Sequence, residues 1–412
     1  MQDYEFNQLS SLVTEIVGQA TGTKPQAPVT TSEFVSVAHL GIEAGYDPLC
    51  DAITQVLSRT IFSVRPYTAK FKGLMTDNIT YGNRVRKLTT IDKPFEDDNR
   101  FKLVDGQSID QQKVNKPKVI EVNITGANVI EKSVTLFKDQ LDNAFSDMNE
   151  FQRYISMILQ NVSDMLEQEN EATARMLIAN MIGGVVAQEG NNIEFGRVIN
   201  LLEVYEEETG VSLTSATYQD PLNFAPFSRW LFGYLKTISD RMTNRSALYH
   251  QSFILGSDDE PTPIMRHTPI SKQKCYLFSP LLNKISANVL STVFYDRYLK
   301  LMDHEAVDFW SNINDPMKIE VYPTFTDADG SVVDITSDND AVEVDNIFGV
   351  IFDEEACGMT LVNQWTANAP FNASGGYTNS FWHQTIRYFS DYSENFVVLL
   401  LQNSAEKENA GE

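Results

Sequence analysis

The segment that begins at residue 148 constrains the fold most. Apolar side chains recur at Phe151, Ile155, Ile158, Val162, Met165, Ala172, Met176 and Met181, close to helical spacing. Met148, Asn149 and Glu150 precede the pattern, Gly183 and Gly184 close it, and Gly190 lies beyond. The spacing predicts one helix of roughly 35 residues, a rod on the order of 50 Å at about 1.5 Å per residue. Globular helices commonly run about 8–20 residues, so this one is unusual. Its polar face carries Asp164, Glu167, Glu169 and Glu171.

Upstream, residues 1–60 read as an irregular arm with two helical stretches. Phe6, Leu9, Val13, Ile16 and Val17 make the first, and the proline-containing segment 22–28 breaks it. The second runs from Ser32 to Leu57 with an interruption near Gly45, Tyr46, Asp47 and Pro48. Residues 61–130 change character. Ile79 and Tyr81 alternate, Gly82-Asn83 offers a turn, and Val85 and Leu88 resume the apolar positions, which reads as a hairpin. Ile120, Val122 and Ile124 alternate with Glu121 and Asn123, the pattern of a half-buried strand. The stretch between, Asp92 to Lys118, is too charged to build a core. Together these predict one long two-stranded excursion whose base packs on the domain.

From residue 193 helices and strands mix. One helix is expected from Pro226 to about Ser239, with Trp230, Leu231, Tyr234, Leu235 and Ile238. Another is expected from Pro280 to Met302, with Leu281, Ile285, Val289, Val293 and Tyr298. Polar surface loops fall at 256–274 and 324–345. Phe348 to Asp353 reads as a buried strand with an acid at its end. Returning strands are expected over 381–402, from His383 to Phe389 and from Asn395 to Leu401, before a charged tail, 403–412, expected to be disordered.

Charge divides the chain. Its 412 residues hold 32 Lys+Arg against 56 Asp+Glu, a net −24. That balance argues against a protein whose main task is gripping phosphates through a basic surface. With 42% hydrophobic and 11% aromatic residues, the chain is not intrinsically disordered. Between Arg65 and Lys118, however, 12 bases face 7 acids, leaving −29 on the remainder. A net-basic arm on an acidic body is what electrostatic self-complementarity requires. Lys70, Lys72, Arg84, Arg86, Lys87, Arg100 and Lys102 are therefore the candidate inter-subunit contacts; the alternative is a solvated loop.

Sequence signals for other roles are weak. No apolar run reaches the ~18 residues of a membrane span, the longest being Phe396 to Leu401. No Lys or Arg precedes Lys24 and no apolar h-region follows, so no secretory signal is expected. Cys50, Cys275 and Cys357 are odd in number and far apart, without zinc spacing, which suits a reducing cytoplasm. Phosphate-binding glycine loops and the nucleophile-elbow pattern are absent. His304 and Asp308 would stand one helical turn apart, but a zincin needs a second His at 308, so a solvated helix face is the better reading. Asp327, Asp329 and Gly330 resemble the middle of a calcium loop, yet Phe325 stands where an oxygen ligand belongs, and a surface turn fits better. His39, His250, His267, His304 and His383 are scattered, and Glu354-Glu355 carries no weight in so acidic a chain. No catalytic residue, cofactor or metal is expected.

The order of parts is diagnostic in combination: arm, two-stranded excursion, very long acidic helix, mixed α/β region, terminal hydrophobic strand. It resembles the major capsid proteins of tailed double-stranded DNA bacteriophages with the HK-97 fold. The nearest echo is Phe348 to Ala356, then Asn372 to Gly376, then Phe381 to Phe389, then Asn395-Phe-Val-Val. It is most similar to those of small short-tailed phages and gut-phage relatives. The resemblance implies an α+β fold with an N-terminal arm (1–60), an E-loop hairpin and its base (61–130), a P-domain with spine helix (131–192) and a mixed α/β A-domain (193–380). It implies a non-catalytic head protein, forming hexamers and pentamers of itself, then an icosahedral shell in the bacterial host cytoplasm. Implied partners are a separate scaffolding protein, since little chain precedes the excursion, a portal protein, and packaged double-stranded DNA held without tight specific binding. An encapsulin-type cage and, further off, a cytoplasmic α/β enzyme are the alternatives.

Overall fold

The structure is a computed structural model describing residues 6–64, 70–75, 84–91, 100, 103–108, 112, 118–125, 128–189, 196–251, 253–254, 261–262, 264–288, 304–326, 332–336 and 340–403. In chain order the elements are α1 (Phe6–Thr21), α2 (Thr31–Glu43), α3 (Tyr46–Val64), β1 (Arg84–Ile91), β2 (Lys118–Thr125), β3 (Asn128–Phe137), α4 (Lys138–Ala144) and α5 (Met148–Glu189). Then come β4 (Val198–Asn200), α6 (Leu201–Thr209), α7 (Pro221–Thr243), β5 (Phe253–Ile254), β6 (Pro261–Thr262), β7 (Gln273–Phe278), α8 (Ser279–Asn288) and β8 (Glu305–Val307). Short β9 (Ile319–Val321), β10 (Thr324–Thr326), β11 (Val332–Asp334) and β12 (Val342–Val344) lead to β13 (Ile347–Asp353), β14 (Cys357–Asn368), β15 (Tyr377–Ser390) and β16 (Phe396–Leu400). The class is α+β.

The chain divides into two compact units. The first comprises Met1–Tyr81, Ala127–Ala174 and Met359–Arg387. Residues 1–60 are more regular here than an irregular arm, because their apolar stripes find a shared core. Thr30 caps α2: its Oγ1 accepts from Glu33 N (3.3 Å), while Glu33 Oε2 accepts from Thr30 N (3.4 Å). Gly45, at φ +107°, breaks the chain between α2 and α3, where the Gly-Tyr-Asp-Pro signal predicts an interruption. Val13, Ile16, Phe34, Ala38, Leu49 and Ile53 bury against Phe145, Phe151, Ile155 and Ile158. Phe151 meets Phe34 and Phe145 edge to face at 5.5 and 5.3 Å. A three-stranded sheet in the order β14-β15-β3 turns Leu136 and Trp382 into the same core.

The second unit comprises Gly82–Gly126, Arg175–Gly358 and Tyr388–Glu412. Its centre is a five-stranded sheet, β4-β16-β13-β7-β8, with β13 antiparallel to both β16 and β7. Every residue of β13 and β16 is buried, as expected of strands covered on both faces. Leu277, Phe348, Ile351, Val397 and Leu399 join the core under α6, α7 and α8. On alternate positions Phe352 stacks on Phe396 (5.3 Å) and Tyr276 (5.8 Å).

Several expectations shift. Helix α5 has 42 residues and runs through Gly183-Gly184, which are notches rather than a stop. A Cβ on Gly183 would strike Val321, and one on Gly184 would strike Tyr392. Met165, Ala172 and Met176 are exposed, while Leu166, Ala174 and Leu177 hold the buried stripe one or two residues away. Helix α7 starts five residues before Pro226, at Pro221. Pro221 sits at the first helical position, where a missing N–H is harmless, and Pro226 is still within the second turn. His304 to Asp308 is not a helix. Ala306 pairs in parallel with Leu277, so the β7 edge recruits this segment as β8. The strand after Gly82-Asn83 pairs with 118–125, and residues 79–83, where the local turn is expected, lie outside the described residues. Also outside them are 289–302 of the second predicted helix, Asp327, Asp329 and Gly330, and the tail 404–412.

Candidate assembly site

The excursion begins as an eight-residue antiparallel pair, from Arg84 opposite Thr125 to Ile91 opposite Lys118. One side chain fixes its place in the second unit. Lys87 Nζ lies 2.5 Å from Glu394 Oε1, 3.1 Å from Asp391 Oδ2 and 3.3 Å from Glu355 Oε2. Asp391 and Glu394 lie in the turn between β15 and β16 and are almost fully buried. Asp391 Oδ1 also accepts from Ser393 N (2.9 Å) and Oγ (2.6 Å), so the turn presents its carboxylates in a fixed direction. Arg266 adds a second cation, 3.2 Å from Glu394.

Electrostatics follow from that geometry. Burial alone would pull the Lys87 ammonium down, but Asp391, Glu394 and Glu355 outweigh it and hold its pKa above the ordinary lysine value. Burial pushes Glu394 up, against the pull of Lys87 and Arg266. Burial also acts to raise Glu355, yet Lys87 and Lys272 prevail and lower it. Lys87, expected among the inter-subunit contacts, is thus an ion-pair partner of three acids of its own chain. Sequence spacing could not find this, because its carboxylates lie some 300 positions away.

Lys70 and Arg100 have exposed side chains. Lys102 lies outside the described residues, as do the side chains of Lys72, Arg84 and Arg86. Glu354 and Glu355 both pair with Lys272, at 3.2 and 3.4 Å. Asp353, the acid closing β13, accepts from Thr268 Oγ1 (2.7 Å) and Glu355 N (2.9 Å). Asp308 pairs with Arg175 at 3.3 Å, while the Arg175 guanidinium lies 3.7 Å over the Phe309 ring. His250 is fully buried, its ring nitrogens facing the Leu248 and Ile264 carbonyls and Asn395 Oδ1. Among the described residues no group of three or more His, Cys, Asp or Glu is placed to hold a metal ion. No helix of the described residues is long and apolar enough to cross a membrane.

The buried acids and bases of this chain hold its own frame together. Over residues 13–400 the sequence matches the family model described as Phi29-like phage major capsid protein. The class is that of bacteriophage head proteins, whose task is structural. The chain belongs to the Phi29-like phage major capsid protein family. Solved structures resemble it at low identity. One, titled capsid structure of Staphylococcus phage Andhra, is 12% identical, covers 81% of this chain and 84% of that one, and has a TM-score of 0.48. Another, the head structure of Helicobacter pylori bacteriophage KHP40, is 10% identical over 82% and 92%, with a TM-score of 0.40. No curated protein matches the sequence.

Proposed function

We propose that this major capsid protein is a non-catalytic shell subunit with the HK-97 arrangement, forming hexamers and pentamers that close into an icosahedral head around double-stranded DNA. Membership of the capsid family over residues 13–400 carries the reading. The chain's net −24 supports it: an acidic wall lets DNA slide during filling instead of gripping it. In this reading residues 1–60 are the arm, 61–130 the E-loop and its base, 131–192 the P-domain with α5 as spine, and 193–380 the A-domain. Lys70, Lys72, Arg84, Arg86, Arg100 and Lys102 lie against acidic surfaces of neighbouring subunits. A separate scaffolding protein guides assembly in the bacterial cytoplasm, and a portal occupies one vertex.

The test is electron microscopy of the protein expressed in bacteria with and without the scaffolding protein. Closed shells or hexameric and pentameric capsomers are expected. A protein that stays monomeric under every assembly condition would overturn the reading.

A further inference from the structure

His250 joins three segments of the second unit. Its ring is fully buried. Nδ1 lies 2.9 Å from the Leu248 carbonyl and 3.0 Å from Asn395 Oδ1, and Nε2 lies 2.5 Å from the Ile264 carbonyl. Asn395 Nδ2 donates to Thr268 Oγ1 (2.9 Å), and Thr268 Oγ1 donates to Asp353 Oδ2 (2.7 Å). Asn395, Thr268 and Asp353 are at most 5% exposed, so this chain of bonds runs inside the protein. Tyr249, one residue before the ring, is held at φ +73°, a strained value for a residue with a Cβ.

The ring thereby ties the chain near Leu248 and Ile264 to the turn between β15 and β16. That turn also carries Asp391 and Glu394, the carboxylates that hold Lys87 of β1 at 3.1 and 2.5 Å. Two further bonds fasten it beside the ring. Gln251 N donates to the Tyr392 carbonyl (3.0 Å), and Arg266 Nε donates to the Ser393 carbonyl (3.1 Å). A change at His250 therefore acts on the turn, and through the turn on β1.

The surroundings of the ring disfavour a charge on it. Arg266, from the 264–268 segment, repels an imidazolium. The turn's own carboxylates face cations instead: Glu394 pairs with Arg266 and Lys87, and Asp391 with Lys87. Asp353, at the end of β13, reaches the ring only through Thr268 and Asn395. Among the described residues no carboxylate contacts the imidazole. A second proton would let both nitrogens donate to oxygens. The cost of charging a fully buried ring, with Arg266 alongside, outweighs those bonds and holds the His250 pKa below the ordinary 6.5. We propose that His250 is an acid-sensitive pin, whose protonation loosens the β15–β16 turn and with it the hold on β1. The neutral ring's contribution is complete above pH 6.5 and falls as pH drops from 6.5 to the folded value. Every group involved lies in the second unit of one subunit, so the device operates without assembly.

Hydrogen exchange of the unassembled subunit tests this, with amide rates corrected for their intrinsic pH dependence. Opening of 84–91 is expected to increase about fivefold or more from pH 7 to pH 5 in the wild type. It is expected to change far less in His250→Gln, which keeps an N–H donor and does not titrate. Glu394, pushed up by burial, is present in both proteins, so their difference isolates the ring. Nitrogen-15 spectra of histidine-labelled wild type, assigned with the variant, read the ring's own pKa. An imidazole that titrates at or above pH 6.5 would overturn the proposal. So would equal pH responses of wild type and variant, or β1 amides already unprotected at pH 7. If His250→Gln fails to fold, the wild type decides: the rise in exchange must share its midpoint with the ring's titration, and a flat profile or a separate midpoint overturns the pin.

Discussion

Tyr392 fills the notch left by Gly184: a Cβ on the glycine would overlap the phenol ring, whose hydroxyl donates to the Asn180 carbonyl at 3.3 Å. Helix α5 therefore accepts a poor helix former because a buried ring occupies the missing side chain's place. Gly184→Ala should lower subunit stability by about 1–3 kcal/mol, despite alanine's better helix propensity. Gly233, on the exposed face of α7, has no atom within 4 Å of its would-be Cβ. Gly233→Ala should stabilise by about 0.5–1 kcal/mol. Urea unfolding midpoints of the two variants should move in opposite directions.

Lys87 and its basic neighbours on β1 should separate by phenotype. Lys87→Glu would place a fourth acid beside Asp391, Glu394 and Glu355, and breaking a buried ion pair costs about 3–5 kcal/mol. That variant should melt well below wild type as an unassembled subunit. Arg84→Glu with Arg86→Glu should keep the wild-type melting temperature and reduce shell yield. Thermal melts paired with sedimentation of assembly reactions check both.

Alkaline stability should depend on the same ammonium. Its folded pKa lies above 10.5, so its contribution is complete below 10.5 and disappears as pH rises through the folded value. Melting temperature should therefore fall above pH 10.5 more steeply for wild type than for Lys87→Met. Parallel slopes would contradict the link.

The cysteines should be silent in the native subunit. Burial pushes Cys50 up to about 11, with Asp47 and Asp51 adding to it against a Thr378 hydrogen bond. Cys275 and Cys357 are fully buried and also raised by burial. At pH 8 the Cys50 thiolate fraction is then on the order of 0.001. A chromogenic thiol reagent should find all three thiols in denaturant and almost none without it. Rapid native reaction of Cys50 would contradict its burial under the sheet.

The site was only partly readable. Segregation of basic residues into 65–118 marked the excursion, because charge is visible residue by residue. Lys87 looked like its neighbours; only the pairing of β1 with β2 and the turn at Asp391 to Asn395 made it an internal ligand. Outward-facing Trp365 was equally invisible, since its exposure depends on which face of the β14-β15-β3 sheet turns to the core.

The sequence by itself determined the local elements: the α5 stripe at Phe151, Ile155, Ile158 and Val162, the break at Gly45, and the largely apolar strands β13 and β16. These follow from periodicity and backbone chemistry within a few residues. Tertiary structure alone decided where α5 ends, that Glu305 to Val307 is a strand, and which charges are internal. Those outcomes rest on partners far along the chain: Val321 and Tyr392 over the glycines, the open edge of β7 beside Ala306, and the Asp391-Glu394 turn beneath Lys87.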